Sequence, residues 1–173
     1  MAIFFLIVQL GFLFLIIFMT LAFLTGAPYV PSSPKAASAM IRLAKCRRGM
    51  TVYDLGSGDG KLLILAAATG ARAVGIEINP YLLVYSLIRA WLSPYRRQIR
   101  VIWRSFWSCR LTDADIVFLY LVPWRMERLE KHLIKKLKPG TVIVSNSFMF
   151  PTIPKIAADA ENHIYAYRIP DSS

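Results

Sequence analysis

Hydrophobic and polar positions divide the chain near residue 26. From Ala2 to Leu24 no charged residue occurs, and 17 of these 23 positions are Phe, Leu, Ile or Val. A helix of that length rises about 35 Å, enough to cross a hydrocarbon core of about 30 Å. Its apolar side chains favour insertion by about 5–10 kcal/mol. The pattern therefore predicts a transmembrane anchor over residues 1–26. A cleaved secretory signal needs a basic leading segment, and no Lys or Arg precedes the run, although Thr25-Gly26-Ala27 has the small residues of a cleavage site.

Residues 27–50 read as a linker and a short helix. Pro28, Pro31 and Pro34 favour extended chain, and Lys35 to Lys45 then reads as a helix with Ser33 as its cap and Pro34 at its first position. It would bury Ala36, Met40, Ile41 and Leu43 or Ala44. From Thr51 the period switches between two and 3.6, which predicts alternating strands and helices. Strands are expected at Thr51–Leu55, Ala73–Ile78, Ile99–Trp103, Ile116–Tyr120 and Thr141–Ser147, with helices at Lys61–Ala68, Tyr81–Trp91 and Arg125–Leu137. Only His163–Ile169 reads as a strand after that. Residues 51–173 thus predict an α/β domain of the Rossmann-like type: a mostly parallel sheet of about six strands with helices on both faces.

The 173 residues carry 21 Lys plus Arg against 10 Asp plus Glu, a net charge of +11 that begins only at Lys35. Charge that follows an apolar helix, with none before it, places the domain on the cytoplasmic or matrix side of a single-pass protein. The missing Arg-rich amphipathic leader favours a prokaryotic plasma membrane. Beside such a helix the basic surface suits an anionic lipid bilayer as partner. With no RNA-binding signature, nucleic acid is not expected. Cys46, Cys109, His132 and His163 are too scattered for a metal site.

Chemistry concentrates in the first strand-to-helix turn, Asp54-Leu55-Gly56-Ser57-Gly58-Asp59-Gly60. In a doubly wound sheet this turn lies at the switch point where nucleotide-like ligands sit. The spacing is Gly-x-Gly-x-Gly, and the turn carries Asp54 and Asp59. Carboxylates repel a pyrophosphate and suit a ligand with sulfonium and ammonium groups, as in S-adenosylmethionine (SAM). Glu77, in Glu77-Ile78-Asn79-Pro80, falls at the end of the second strand, where a carboxylate can accept two ribose hydroxyls. Read as bland residues, Asp54 caps a turn and Glu77 is a solvated strand end.

The stretch from residue 28 to 169 resembles the seven-strand-type lysine methyltransferases that modify the ATP synthase c-subunit and the adenine nucleotide translocase, together with their prokaryotic relatives. The likeness rests on Pro28-Tyr29-Val30-Pro31, on Asp54 to Lys61, on Glu77 to Leu83 with Tyr85-Ser86 and Arg89-Ala90-Trp91, and on Ile164-Tyr165-Ala166-Tyr167. It implies a membrane-anchored, SAM-dependent N-methyltransferase acting on a lysine of a membrane protein. The expected cofactor set is Asp54, Gly56, Ser57, Gly58, Asp59, Gly60, Glu77, Ile78, Asn79, Ser105 and Phe106.

Ser105 departs from the pattern, since the family commonly has Asp there; one hydroxyl bonds adenine more weakly, leaving Phe106 to pack on it. Leu121-Val122-Pro123-Trp124 lacks the Asn-Pro-Pro-Tyr type motif of many amide and base methylases. Tyr29, Tyr120 and Asn146 are candidates for the substrate side, with packing or sheet-edge roles as the alternative. Methylation of a lipid headgroup or a membrane-embedded small molecule, and a non-catalytic SAM-binding module, are the competing readings.

Overall fold

The computed structural model describes residues 1–25, 31–120 and 126–170, with the side chains of 17–25 also outside the description. The chain divides into two compact units, Met1–Val30 and Pro31–Ser173.

The first unit holds helix α1, Ala2–Thr25. The expectation of a transmembrane anchor, and of a single-pass location with the domain on the cytoplasmic or matrix side, is corrected here. Among the described residues no helix is long and apolar enough to cross a membrane.

The second unit begins with α2, Pro34–Ala44, capped as expected: the Ser33 hydroxyl accepts the Ala36 N–H at 3.1 Å and Pro34 opens the helix. Its small face, Ala36, Ala37, Ala39, Met40 and Ala44, is buried against α3 and the sheet, while Ile41 and Leu43 stay half-buried. Then follow β1 (Thr51–Leu55), α3 (Lys61–Ala68), β2 (Arg72–Glu77), α4 (Pro80–Leu92), β3 (Ile99–Trp103), β4 (Ile116–Leu119), α5 (Met126–Lys136), β5 (Val142–Asn146), β6 (Lys155–Asp159) and β7 (Ile164–Arg168).

The sheet has seven strands in the order β3-β2-β1-β4-β5-β7-β6. Strands β1 to β5 run parallel, whereas β7 is antiparallel to β5 and β6 antiparallel to β7. The expectation of about six strands is corrected by β6, which closes a two-stranded antiparallel end. Lys-Ile-Ala-Ala-Asp offers neither alternation nor the branched and aromatic residues that favour strands. It is an edge strand, mostly exposed and irregular in register, with a Lys and an Asp at its ends; such features blunt an open edge.

Period-two alternation supplies both cores. On β4, Ile116 and Phe118 face the layer of α2 and α3, and Val117 and Leu119 face that of α5. Helix α5 buries Met126, Leu129, Glu130 and Leu133 on one face. The Glu130 carboxylate accepts the N–H groups of Thr152 and Ile153 at 2.7 and 2.8 Å, anchoring the connection from β5 to β6. Order reverses between β1 and β4, so the carboxyl ends of these strands open the crevice in which such sheets bind ligands.

Candidate active site

Asp54 lies at the carboxyl end of β1, in register with Gly75 of β2 and Phe118 of β4. Its residue is 4% exposed, and no described residue donates a hydrogen bond to its carboxylate. Burial first, then the nearby charges of Glu77 and Asp59, push its pKa up to about 8. A carboxylate costs several kcal/mol to bury unpaired. The residue is therefore poised for a cationic partner.

The turn after Asp54 directs its amides inward. The N–H groups of Gly56 and Ser57 bond the Ile76 carbonyl at 2.9 and 3.1 Å, and that of Gly58 bonds Glu77 Oε2 at 2.8 Å. A phosphate-binding turn leaves such amides free for the anion; here β2 consumes them. Gly56, at φ +86, has nothing within 4 Å of where a Cβ would stand, so open space lies over the turn. The Ser57 side chain faces the other way, its oxygen buried without a partner and close over Gly75.

Glu77 sits at the end of β2, where its carboxylate is held by backbone. Its Oε1 takes the N–H groups of Ile78 and Asn79 at 2.9 and 2.8 Å, and its Oε2 that of Gly58. One carboxylate thus locks together the turns after β1 and β2, with acceptor capacity left for one or two further donors. The Asn79 side chain caps α4, accepting the N–H groups of Tyr81 and Leu82.

Asp59 is already engaged. Its Oδ1 accepts the Lys61 N–H at 3.1 Å, and Arg89 from α4 forms an ion pair with Oδ2 while donating to the Asp59 carbonyl at 3.0 Å. Sequence reasoning missed Arg89: it lies 30 positions away, and only the approach of α4 to the turn reveals it. Gly60 permits that approach. At φ +72 it is the residue before α3, and a Cβ there would collide with Ser86 Oγ of α4.

Beyond β3, Ser105 uses its backbone carbonyl to accept from Ser108 and Cys109, and the Phe106 ring lies 4.8 Å from that of Trp107. Trp107 in turn meets His132 edge-on and lies under the Arg128 guanidinium. Across the crevice, the register of Leu119 with Ser145 sets Tyr120 beside Asn146 at the ends of β4 and β5. Tyr120 stacks on Phe148 at 6.4 Å. Asn146 is buried, donating to Ser32 Oγ at 3.1 Å and accepting from the Ser147 hydroxyl at 2.8 Å. Ser147 adopts φ +69, a conformation that costs a non-glycine residue about 1–2 kcal/mol. Ser32, Ser147 and Phe148 were not legible as site residues. Tyr29 and the Leu121-Val122-Pro123-Trp124 stretch lie outside the described residues.

The two thiols are poor nucleophiles. Burial pushes Cys46 up to about 12 and raises Cys109 as well.

The open space over Gly56, the unpaired Asp54 and the inward-turned amides suit a cationic cofactor better than a dinucleotide. Comparison with known proteins agrees. The ANTKMT methyltransferase domain matches residues 54–157. The human lysine N-methyltransferase of the ATP synthase c-subunit is 33% identical over 142 residues, covering 81% of this chain; the chain spans 60% of that relative's length. A protein-lysine N-methyltransferase of Saccharolobus islandicus is 32% identical over 130 residues, or 74% of this chain and 81% of the relative. An RNA methyltransferase from Salinibacter ruber, solved in complex with S-adenosyl-L-homocysteine (SAH), has a TM-score of 0.79 at 33% identity, covering 83% of this chain and 96% of that one. These matches identify SAM as the cofactor, and they assign the fold to the class I methyltransferases. The chain belongs to the ANTKMT methyltransferase domain family.

Proposed function

We propose that the chain is a SAM-dependent protein-lysine N-methyltransferase whose target is a lysine of a membrane protein. The observation that carries this reading is the buried, unpaired Asp54 beneath an open glycine turn, in a chain whose relatives are named for lysine methylation. When bound, the cofactor supplies an electrophilic methyl group on a sulfonium.

The chain's own residues then divide the work. Asp54 answers the cofactor's positive charge. Glu77, Ile78 and Asn79, with Gly56, Ser57, Gly58 and Gly60 of the first turn, shape the ribose and methionine side, and Asp59 acts through its pairing with Arg89. Ser105 and Phe106 border the adenine. On the acceptor side, Tyr120 and Phe148 form an aromatic wall that excludes water, and Asn146, held by Ser32 and Ser147, offers its amide oxygen to an amine N–H. A lysine must be neutral to attack, which costs about 4–5 kcal/mol at pH 7. A dry wall lowers that cost by disfavouring the ammonium form.

RNA is the second reading, favoured by the Salinibacter ruber structure's description as an RNA methyltransferase. Incubation with methyl-labelled SAM and native membranes plus total RNA separates them: label in protein supports the proposal. Label in RNA supports the second reading, and label in the lipid extract supports a headgroup methylase. No label despite SAM binding identifies a binding module.

A further inference from the structure

Helix α4 is built inside out. Its buried residues are Ser86 and Ala90, small side chains that let it approach Gly60. Its large residues point away. Tyr81, Val84, Tyr85, Ile88, Trp91 and Leu92 are all more than half exposed, Trp91 and Leu92 at 67% and 68%. Their spacing of three and four places them in one stripe along the helix. Together they form one contiguous, mainly apolar exposed stripe, the kind of patch that marks an interaction surface rather than scattered exposed residues. Trp103, at the end of edge strand β3, adds a ring that is 66% exposed and fixed by its Nε1–H donating to the Ile78 carbonyl at 3.0 Å.

Charge around the stripe has one sign. Between Ile78 and Arg110 the sequence holds six arginines and no acidic residue. Arg89 is spent on Asp59, but Arg96, Arg97, Arg100 and Arg104 are exposed on the turn after α4 and along β3. An exposed aliphatic stripe flanked by Tyr, Trp and Arg has the composition of an element that lies in a membrane interface. A second copy fits poorly, since pairing of the two stripes would bring arginines together with no carboxylate in the segment to answer them. RNA would satisfy the arginines and leave Val84, Ile88 and Leu92 with nothing to contact.

We propose that the α4 stripe, with Trp103 and the arginines from Arg96 to Arg104, docks on an anionic lipid surface, the aliphatic residues entering the headgroup region and the guanidinium groups pairing with lipid phosphates. The docking does not depend on the chemical step, so it is measured without SAM and its failure leaves the proposed activity untouched.

The full chain is mixed with vesicles of phosphatidylcholine and phosphatidylglycerol whose acyl chains carry bromine, which quenches nearby tryptophan. The Trp91 contribution is taken as the difference from Trp91→Phe. It is expected to be quenched on anionic vesicles. Arg96→Ala/Arg97→Ala should weaken the docking by about 30-fold, so that quenching disappears at an ionic strength where the parent chain retains it. SAH affinity and circular dichroism, unchanged in the variant, show that it is folded. Trp91 left unquenched while the chain sediments with the vesicles overturns the proposal. So does shielding of Trp91 by self-association or by RNA in place of lipid.

Discussion

If Asp54 is the counter-charge of the cofactor, binding must expel its proton. In the free chain burial and the charges of Glu77 and Asp59 place its pKa at about 8, so at pH 7 only about one molecule in ten carries the charge, and ionising the rest costs about 1.4 kcal/mol. A ligand ammonium beside it returns the group towards an ordinary carboxylate value. Titrating SAH by calorimetry in buffers of different ionisation enthalpy should show about 0.9 proton released per ligand at pH 7. Affinity should rise about 50-fold from pH 6 to pH 8 and level off above. Asp54→Asn should bind weakly, with no proton release and no pH slope. Stability gives an independent sign. The folded pKa lies above the unfolded value, so the native state holds the proton longer. This group favours folding fully below about pH 4, and its contribution is lost as pH rises to about 8, by up to roughly 5 kcal/mol. The unliganded Asn variant should therefore unfold at higher temperature than the parent at pH 8 and at a similar one near pH 4. Equal pH slopes for SAH in parent and variant would refute the role given to Asp54.

Glu77→Gln replaces a charged acceptor of three N–H groups with a neutral amide, and SAH affinity should fall about 10–100-fold, with faster amide exchange at Gly58 and Asn79 measured by hydrogen–deuterium exchange. Gly60→Ala forces a methyl group against Ser86 and strains a positive φ; thermal unfolding should show a loss of about 1–3 kcal/mol, partly restored by adding Ser86→Gly. Cys46, with its pKa near 12, should be alkylated at pH 8 at least about 100-fold more slowly than a free thiol in denaturant; comparable rates would show that it is not shielded. Asn146→Ala should lower turnover on the protein substrate while leaving SAH affinity within about threefold, since the residue lies on the acceptor side.

The alternation from Thr51 to Ser147 was legible because the central strands β1, β2, β4 and β5 are almost wholly buried and α4 has a marked start in Asn79 and Pro80, as α2 before it has in Ser33 and Pro34. Strand β6 was hidden because an exposed edge needs no apolar pattern. The carboxylates at the strand ends were legible from order and spacing along one βαβ unit. Their division of labour was not. Glu77 is held by the turns after β1 and β2, and Asp59 by an arginine that only the packing of α4 brings near; no local pattern encodes which carboxylate is left alone. The α1 segment shows the opposite error: its composition predicted a membrane span that the described residues do not support.

Amino-acid analysis of the protein labelled by methyl-tritiated SAM tests the central claim most directly. Label is expected in Nε-methylated lysine, in proportion to active chain and lost with Glu77→Gln. Label confined to RNA or lipid, or in a residue other than lysine, would contradict it.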